Sequence, residues 1–493
     1  MKWVLHLRLL AFFLSLSMAV PAYAHVGSKD VYEEVSAGPY KLFVTIRTPI
    51  VIPGVATIEV RSSEAKISSL RITPTPLTGE ASKHPPTADA MEPSAADPAF
   101  FTGSVWLMAS GSWQVHFDID GSAGKATTSV PVSAIPLSIL PMERPLSILL
   151  ALLGILLVGG IAGIVAAAVG QSRLSPGLEP GPTAGRRAMV AGLVTLAISA
   201  VLVYGGYKWW NLEATSYAAD IYHPLSLRPE LSGNTLDLKI GRHDTDAIHT
   251  SKARTNDDLL PDHGHVMHLY AIREPGMDVA FHLHPAIVSP GLLRMTLPSM
   301  PPGTYRLYAD IVHANGFPET LTAEMVVPAD LPPAPLAAED ASAAPPALAQ
   351  GELGPAYKLP DGYSMIWDRP QDLLANTAYA FRFRLVDAAG QPAGDVHPYL
   401  GMAGHAAFVK TDGTVFAHTH PEGSAAMQAM MLANGGSGET GSMEGMEMGG
   451  AADHISPSVE FPYGFPSAGR YRIFIQMKHG STVETGVFDA EVH

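Results

Sequence analysis

Four histidines recur in the same order in two stretches of the second half of the chain. In each stretch, a first histidine precedes a hairpin-like sequence, an His-x-His-Pro motif closes that sequence, and a fourth histidine ends a Gly-x-Tyr-Arg segment. The eight residues are His268, His282, His284 and His313 in the first copy, and His405, His418, His420 and His479 in the second. The shared order and spacing indicate an internal duplication that kept the histidines in register.

The spacing predicts that three imidazoles converge in each copy. Side chains at i and i+2 of a strand share a face, so the two histidines of each His-x-His pair project side by side. The turn sequences REPG and KTDG lie midway between the first histidine and that pair, so a hairpin brings the first histidine opposite it. Neutral imidazoles without cysteine favour copper or zinc as the bound ion.

The fourth histidine of each copy is in phase with the apolar residues of its strand. We therefore expect His313 and His479 to leave the strand on the core-facing side and to close a partly buried site. Further candidate ligands lie outside the repeated pattern, and they are His25, His265, Met402, Met443, Met446 and Met448. His25 becomes the amino terminus if a leader is removed, and thioethers such as those of the Met-rich insert at 427–448 select Cu(I).

The first half of the chain predicts export and membrane anchoring. Residues 1–24 have the basic start, apolar stretch and Ala-x-Ala ending of a signal peptide. Residues 146–169 and 189–207 are long and apolar enough to be transmembrane helices. The loop at 170–188 carries Arg173, Arg186 and Arg187, which the positive-inside rule assigns to the cytoplasm. We therefore predict a bacterial inner-membrane protein with two spans, whose N- and C-terminal domains are both periplasmic.

The remaining sequence predicts a mainly β protein with three immunoglobulin-like β-sandwich domains and a two-helix transmembrane hairpin. Short β-type runs occupy 25–137, and the two repeats cover 213–328 and 351–493, separated by a Pro/Ala linker at 329–350. The formal net charge of −15 excludes a basic face for nucleic acid. Gly159-x3-Gly163 in the first span is a packing signal that allows homo-oligomers.

Three family resemblances accompany these patterns. The N-terminal block, with GPYKLFVTIRTP and GSWQVHFDI, resembles exported immunoglobulin-like modules of the YtkA/FixH sort. The repeats resemble uncharacterised exported β-sandwich domains with HxHP hairpins. The segment GMDVAFHLH is similar to the opening of a cupin metal site, which implies a bicupin, but the second cupin motif is absent and the Gly-x-Tyr strand is more typical of a sandwich.

These patterns leave three functions open. The first is a membrane-anchored periplasmic protein that captures, buffers or delivers copper. The second is a non-catalytic envelope scaffold that binds another envelope protein and uses its histidines structurally. The third is a bicupin-like metalloenzyme, which the sequence favours least because no acidic residue accompanies the histidines in both copies. We therefore expect no catalytic residues and no organic cofactor.

Overall fold

The computed structural model is mainly β, with several antiparallel sheets and two long apolar helices, and this confirms the predicted mainly β class, while the immunoglobulin-like assignment stays a prediction. The three β domains belong to one compact unit, and residues 136–222 belong to another. The structure describes residues 29–63, 66–175, 177, 179, 181–219, 221–241, 256–435 and 455–493. The predicted signal peptide lies outside these residues.

The N-terminal domain consists of two antiparallel sheets around one apolar core. The sheets have the orders β1-β2-β3-β7-β6 and β5-β4-β8-β9. The strands are β1 (Val31–Ala37), β2 (Tyr40–Arg47), β3 (Gly54–Ser62), β4 (Ile67–Pro76), β5 (Asp89–Ala90), β6 (Glu92–Pro93), β7 (Phe100–Leu107), β8 (Gly111–Gly121) and β9 (Gly124–Ala134). Alternate residues of the long strands, such as Leu42, Val44 and Ile46, fill the space between the sheets, as period-2 patterning requires.

Two helices are long and apolar enough to cross a membrane. They are α1 (Arg144–Gln171) and α2 (Pro182–Ala219). At a rise of about 1.5 Å per residue, both exceed the roughly 30 Å hydrocarbon thickness of a bilayer. Their large apolar side chains are mostly exposed, so these helices do not bury an apolar stripe in the way that soluble helices do.

The first repeat pairs a four-stranded sheet with a six-stranded sheet. The orders are β10-β11-β16-β15 and β12-β17-β13-β14-β19, with β18 on β17. The strands are β10 (Ser226–Ser232), β11 (Thr235–Gly241), β12 (Leu259–Leu260), β13 (His268–Glu274), β14 (Ala280–Leu283), β15 (Ala286–Ser289), β16 (Leu292–Thr296), β17 (Gly303–His313), β18 (Pro318–Val327) and β19 (Ala341–Ala343). The short strand β19 lies within the segment predicted as a linker, so that segment also extends the first repeat.

The second repeat has the same plan. The orders are β20-β21-β22-β26 and β23-β27-β24-β25, with β28 on β27. The elements are β20 (Ala356–Lys358), β21 (Ser364–Trp367), β22 (Tyr379–Val386), β23 (Val396–His397), β24 (His405–Lys410), β25 (Phe416–Thr419), α3 (Met427–Ala433), β26 (Ser458–Tyr463), β27 (Gly469–His479) and β28 (Thr482–Val492). The series β12-β17-β13-β14 and β23-β27-β24-β25 are equivalent, which supports the duplication inferred from sequence.

The tyrosine of each Gly-x-Tyr-Arg segment makes the same bond in both repeats. Tyr305 Oη donates to the Pro301 carbonyl at 2.8 Å, and Tyr471 Oη donates to the Ser467 carbonyl at 2.8 Å. A buried tyrosine that bonds the backbone a few residues upstream is typical of a sandwich corner. The motif therefore has a structural role, and it supports a sandwich rather than a cupin.

The two repeats pack the larger sheets of their sandwiches against each other. The interface core contains Tyr270, Ile272 and Tyr308 of the first repeat with Ala407, Val409, Phe416, Phe474 and Val487 of the second. These residues alternate with those that fill each repeat's own core, so the strands are buried on both faces. The histidine-bearing ends of the hairpins lie on this shared face.

The arginines of the Gly-x-Tyr-Arg segments reach across this interface. Arg472 is fully buried, forms a bidentate ion pair with Asp489, and donates to the carbonyl of Met277 in the hairpin turn of the first repeat at 2.9 Å. Arg306 makes the reciprocal approach to the Gly413 carbonyl at 3.5 Å. The arrangement is pseudo-symmetric, with each repeat holding the turn of the other.

The N-terminal domain contacts the segment that follows His420. The Glu34 amide donates to the Glu422 carbonyl at 2.6 Å, and the Ser424 amide donates to the Tyr32 carbonyl at 3.0 Å. Burial raises the pKa of Glu33, which also accepts from the Ala425 amide. Helix α3 packs against the same domain, where Asn434 donates to the Ser129 carbonyl and accepts from its amide, both at 3.0 Å.

Candidate metal centre

The hairpins place their histidines as the strand pattern predicts. In the first repeat, β13 pairs with β14 so that Tyr270 lies opposite His282, and the rings of His268 and His284 are 5.1 Å apart. In the second repeat, Ala407 lies opposite His418, and the corresponding rings of His405 and His420 are 5.0 Å apart. Each hairpin therefore gathers its first histidine and its His-x-His pair.

The six hairpin histidines form one cluster, whereas the sequence predicted a separate site in each repeat. The His268 and His418 rings are 5.1 Å apart across the interface, and the His282 and His418 rings are 5.5 Å apart. The reason is that both hairpins carry their histidines on the face that packs against the other repeat. A single centre at the interface thus replaces two equivalent ones.

His313 and His479 do not join this cluster. Asp310 and Gln476 face the cluster from their strands, and His313 and His479 each lie three residues further along the same strand. An odd spacing in a strand puts two side chains on opposite faces. His313 is instead held between Asp258 at 2.8 Å and Glu319 at 3.0 Å, and His479 contacts Asp361 at 3.1 Å. The expectation that these histidines close the hairpin sites is therefore wrong.

Four imidazoles lie at the centre of the cluster, and we call them the central group: His268, His282, His405 and His418. Within each repeat, the Nδ1 atom of the first histidine lies 3.0 Å from the Nε2 atom of its partner, in the pairs His268–His282 and His405–His418. Ligand atoms of His268, His282 and His418 all lie within 4.8 Å of one another. Two nitrogens bound tetrahedrally to one ion at 2.0–2.1 Å are about 3.3 Å apart, so small ring movements suffice to admit an ion.

The outer nitrogens of two of these rings are held by the opposite repeat. Gln476 Oε1 lies 2.8 Å from His282 Nδ1, and Asp310 Oδ2 lies 3.3 Å from His418 Nδ1. An acceptor on Nδ1 fixes the proton there and leaves Nε2 free to bind an ion, which is the usual outer support of metal-bound histidine. Asp310 and Gln476 were not predicted as site residues, although they occupy the same position in both Gly-x-Tyr-Arg segments.

Burial favours the uncharged form of four of the clustered histidines. It lowers the pKa of His268, His282, His405 and His420 well below the usual value, and repulsion from neighbouring imidazoles lowers it further. Neutral imidazole is the form that binds metal ions, since the lone pair must be free. The centre therefore presents imidazoles in the protonation state that metal binding requires.

Several buried polar atoms in and beside the cluster have no hydrogen-bond partner among the described residues. They are Asp262 Oδ1, His263 Nε2, His284 Nε2, His405 Nε2 and both ring nitrogens of His420. A backbone group of Ala425 faces His420 without reaching hydrogen-bond geometry. Buried polar groups without protein partners are costly and rare, and in folded proteins a bound ion or water commonly satisfies them.

A partly open cavity of about 110 Å³ adjoins the cluster. Its lining includes His265, His268, Asp310, His418, His420 and Ser424. The volume is sufficient for several water molecules. A small solute that enters this cavity therefore reaches histidines of both repeats.

The other candidate ligands have varied positions. His265 stacks on His284 at 4.0 Å and contacts Glu339, while His284 contacts Asp340 at 3.0 Å. Met402 occupies the turn position equivalent to His265, as the bridges Tyr399–Met402 and Asp262–His265 show. His25 and the methionines of the SMEGMEMGG segment, Met443, Met446 and Met448, lie outside the described residues. The first part of the insert forms helix α3.

Comparisons with known proteins add little about function. No curated protein matches the chain. Among solved structures, the chain is similar to a tetra-tandem repeat in the extending region of a large adhesion protein, at 9% identity, a TM-score of 0.16, and coverage of 90% of this chain and 72% of that one. It is also similar to Escherichia coli alpha-2-macroglobulin activated by porcine elastase, at 9% identity, a TM-score of 0.17, and coverage of 92% of this chain and 30% of that one. A marsupial T cell receptor matches at 6% identity, a TM-score of 0.15, and coverage of 92% of this chain and 99% of that one.

The chain thus spans about a third of the alpha-2-macroglobulin that it matches. TM-scores this low carry no argument about fold or function. The family comparison is more local, because it covers the two repeats and leaves out the N-terminal domain and both apolar helices. Residues 228–330 and 358–493 match the family model described as Domain of unknown function (DUF8832).

Proposed function

We propose that this protein is a membrane-anchored metal-binding protein that captures, buffers or delivers copper through a centre shared by its two repeats. The observation that carries the proposal is the central group, in which the imidazole nitrogens of each repeat lie 3.0 Å apart in pairs and the rings of the two repeats approach to 5.1–5.5 Å inside a buried interface. Ligand atoms of three of these imidazoles, from His268, His282 and His418, lie within 4.8 Å of one another across the interface. Metal binding accounts for their number and their geometry together.

The donor set favours copper over harder cations. Mg²⁺ and Ca²⁺ prefer oxygen ligands, whereas imidazole suits copper and zinc. Copper forms the most stable complexes among the divalent first-row ions at a given nitrogen site. The methionines of the insert add soft donors for Cu(I), and zinc remains the alternative ion for the same imidazoles.

The chain's organisation supports a location outside the inner membrane. Two spans bring the segments before and after them to the same side, and the arginine-bearing loop between the spans favours the cytoplasm. The hydrogen bonds from the Glu34 amide to the Glu422 carbonyl and from the Ser424 amide to the Tyr32 carbonyl support one compartment for the N-terminal domain and the repeats. Both arguments agree with a periplasmic metal centre in a bacterium.

Metal content tests the proposal. We expect the full-length protein in detergent to retain copper after loading with Cu(I) or Cu(II) and desalting, and the double variant His282→Ala/His418→Ala to lose the ion at the central group. The matched control is His479→Ala, because this histidine lies on the opposite face of its strand. If the double variant keeps the same metal content as the wild type, the central group does not hold the ion and the proposal fails.

A further inference from the structure

We propose a second ion site beside the central group, formed by Asp262, His263 and His420, that takes a divalent ion such as Zn²⁺ or Cu²⁺. None of these three residues belongs to the central group. Their ligand atoms lie within 4.8 Å of one another, and all three side chains are more than nine-tenths buried. The site therefore goes beyond the single copper centre proposed above.

The donor atoms have no hydrogen-bond partner within the described part of the chain, although backbone groups of Leu400 and Ala425 lie near His263 and His420. Asp262 Oδ1, His263 Nε2 and both ring nitrogens of His420 have no hydrogen bond to any described residue. A carboxylate oxygen is rarely left buried and unpaired, since an ionised group needs a counter-charge when it leaves water. A cation between these atoms supplies the counter-charge for the carboxylate and accepts the lone pairs of both imidazoles.

The turn that carries two of the donors is held in an uncommon backbone conformation. His263 has a φ of 49° and Gly264 a φ of 86°, and the turn is closed by the Asp262–His265 bridge. Few non-glycine residues adopt positive φ, and those that do are concentrated at functional sites. This conformation places the His263 ring 4.5 Å from the His420 ring of the other repeat.

The equivalent turn of the second repeat has the same backbone but lacks the donors. Leu400 has a φ of 51° and Gly401 a φ of 81°, so the turn geometry is retained. The residues that correspond to Asp262 and His263 are Tyr399 and Leu400, and Tyr399 Oη donates to the Glu339 carbonyl at 2.9 Å. At the equivalent place in the other half of the interface, formed by Tyr399, Leu400 and His284, His284 is the one metal-binding side chain among these three. We therefore predict one additional ion instead of two.

The chemistry of this second site differs from that of the central group. It combines one carboxylate with two imidazoles, a set that is typical of Zn²⁺ and suits Cu²⁺ but offers nothing to select Cu(I). His405 lies next to it, with ring centroids 5.4 Å from His263 and 5.0 Å from His420, and its Nε2 atom is also without a partner among the described residues. Because a neutral imidazole has one free lone pair, His405 can donate to this site or to the central group, and not to both ions.

The chain itself offers the variant that tests the site. His263→Leu copies the residue found at the same positive φ in the sister turn, so the backbone should tolerate it. We expect the full-length wild type, loaded with Zn²⁺ or Cu²⁺, to hold two ions per chain by elemental analysis, and His263→Leu to hold one. Asp262→Asn is the second variant, and we expect a roughly 10- to 100-fold weaker affinity for the second ion.

The possible results separate the two proposals. Equal stoichiometry in the wild type and His263→Leu, whether one ion or two, overturns the second site while leaving the central group untouched. Loss of one ion in His263→Leu, with no loss in His282→Ala/His418→Ala, supports the second site and overturns the central one. Circular dichroism of each variant establishes that the comparison is made on folded protein.

Discussion

Gln476 provides the sharpest test of the interface centre, because it acts on a histidine of the other repeat. Its Oε1 atom lies 2.8 Å from His282 Nδ1, and both side chains are buried. Replacing Gln476 by Leu removes that acceptor while keeping a side chain of similar length. We therefore expect the His282 ring to lose its fixed tautomer and orientation, and the metal to bind less tightly.

The expected magnitude follows from the contacts that remain. Loss of an outer-shell partner typically costs 10- to 100-fold in metal affinity, or about 1.4–2.8 kcal/mol. Tyr399 Oη lies 3.3 Å from the same His282 nitrogen and can serve as a substitute acceptor at longer range. We expect the lower end of the range, about tenfold.

The assay is a competition titration of the full-length protein against a chromophoric copper chelator. The matched control is Gln476→Glu, since the equivalent position in the other repeat is the carboxylate Asp310, which lies 3.3 Å from His418 Nδ1. We expect this variant to bind at least as tightly as the wild type. Unchanged affinity in Gln476→Leu, or equal weakening in both variants, would refute the assigned role of Gln476.

Three further predictions concern stability and metal selection. Arg472→Met removes the bidentate partner of the buried Asp489, which keeps the Leu353 amide at 2.9 Å and Arg470 at 3.5 Å, so we expect the free energy of unfolding to fall by about 3 kcal/mol in denaturant titrations. Arg306→Met, at a partly exposed ion pair, should cost no more than about 1 kcal/mol. Burial lowers the pKa of His313, but the hydrogen bonds that its ring donates to the Glu319 and Asp258 carboxylates prevail and raise the pKa above its usual value. The ion pairs of His313 therefore add stability below about pH 6.5, and this stability is lost as the pH rises through the pKa of the folded state. We expect the difference in the free energy of unfolding between wild type and His313→Gln to shrink over that rise. A difference that stays constant with pH contradicts this. The SMEGMEMGG segment contains Met443, Met446 and Met448. Replacing these three methionines by Leu should weaken Cu(I) binding and leave Cu(II) binding unchanged. Equal effects on the affinities for both ions would show that the thioethers do not select Cu(I).

The sequence was sufficient to predict the hairpin geometry because strand alternation is local. Period-2 spacing placed His282 beside His284, and the turn positions placed His268 opposite them, as the register confirms. The same local reasoning also gave the two apolar helices and the duplicated strand order. In each case, the information lies in the local sequence of a single element or hairpin.

The association of the two repeats was not predicted, because it depends on which sheet faces meet. The runs HLYAI and HAAFV are apolar at consecutive positions, a pattern of strands buried on both faces, and this was the available signal. The position of His313 was misjudged for a related reason. It was correctly placed in phase with the core, but the hairpin histidines lie on the other face of the same sheet.

Asp262 and His263 were not predicted, because the duplicated pattern contains only residues that both copies share. The second repeat has Tyr399 and Leu400 at these positions, so neither donor belongs to that pattern. Positive φ at a non-glycine residue is also not readable from composition, although the Asp-His-Gly sequence is compatible with a tight turn. The asymmetric part of the site is therefore visible only in the three-dimensional arrangement.

The interface between the repeats has a consequence for how the centre responds to dilution. A centre of this kind assembled from two separate chains dissociates as protein concentration falls, and its metal affinity then depends on how much protein is present. Here both halves lie on one chain, so assembly is intramolecular and is governed by an effective concentration in the millimolar range for short connections. The metal affinity of the proposed centre should thus be the same at nanomolar and micromolar protein.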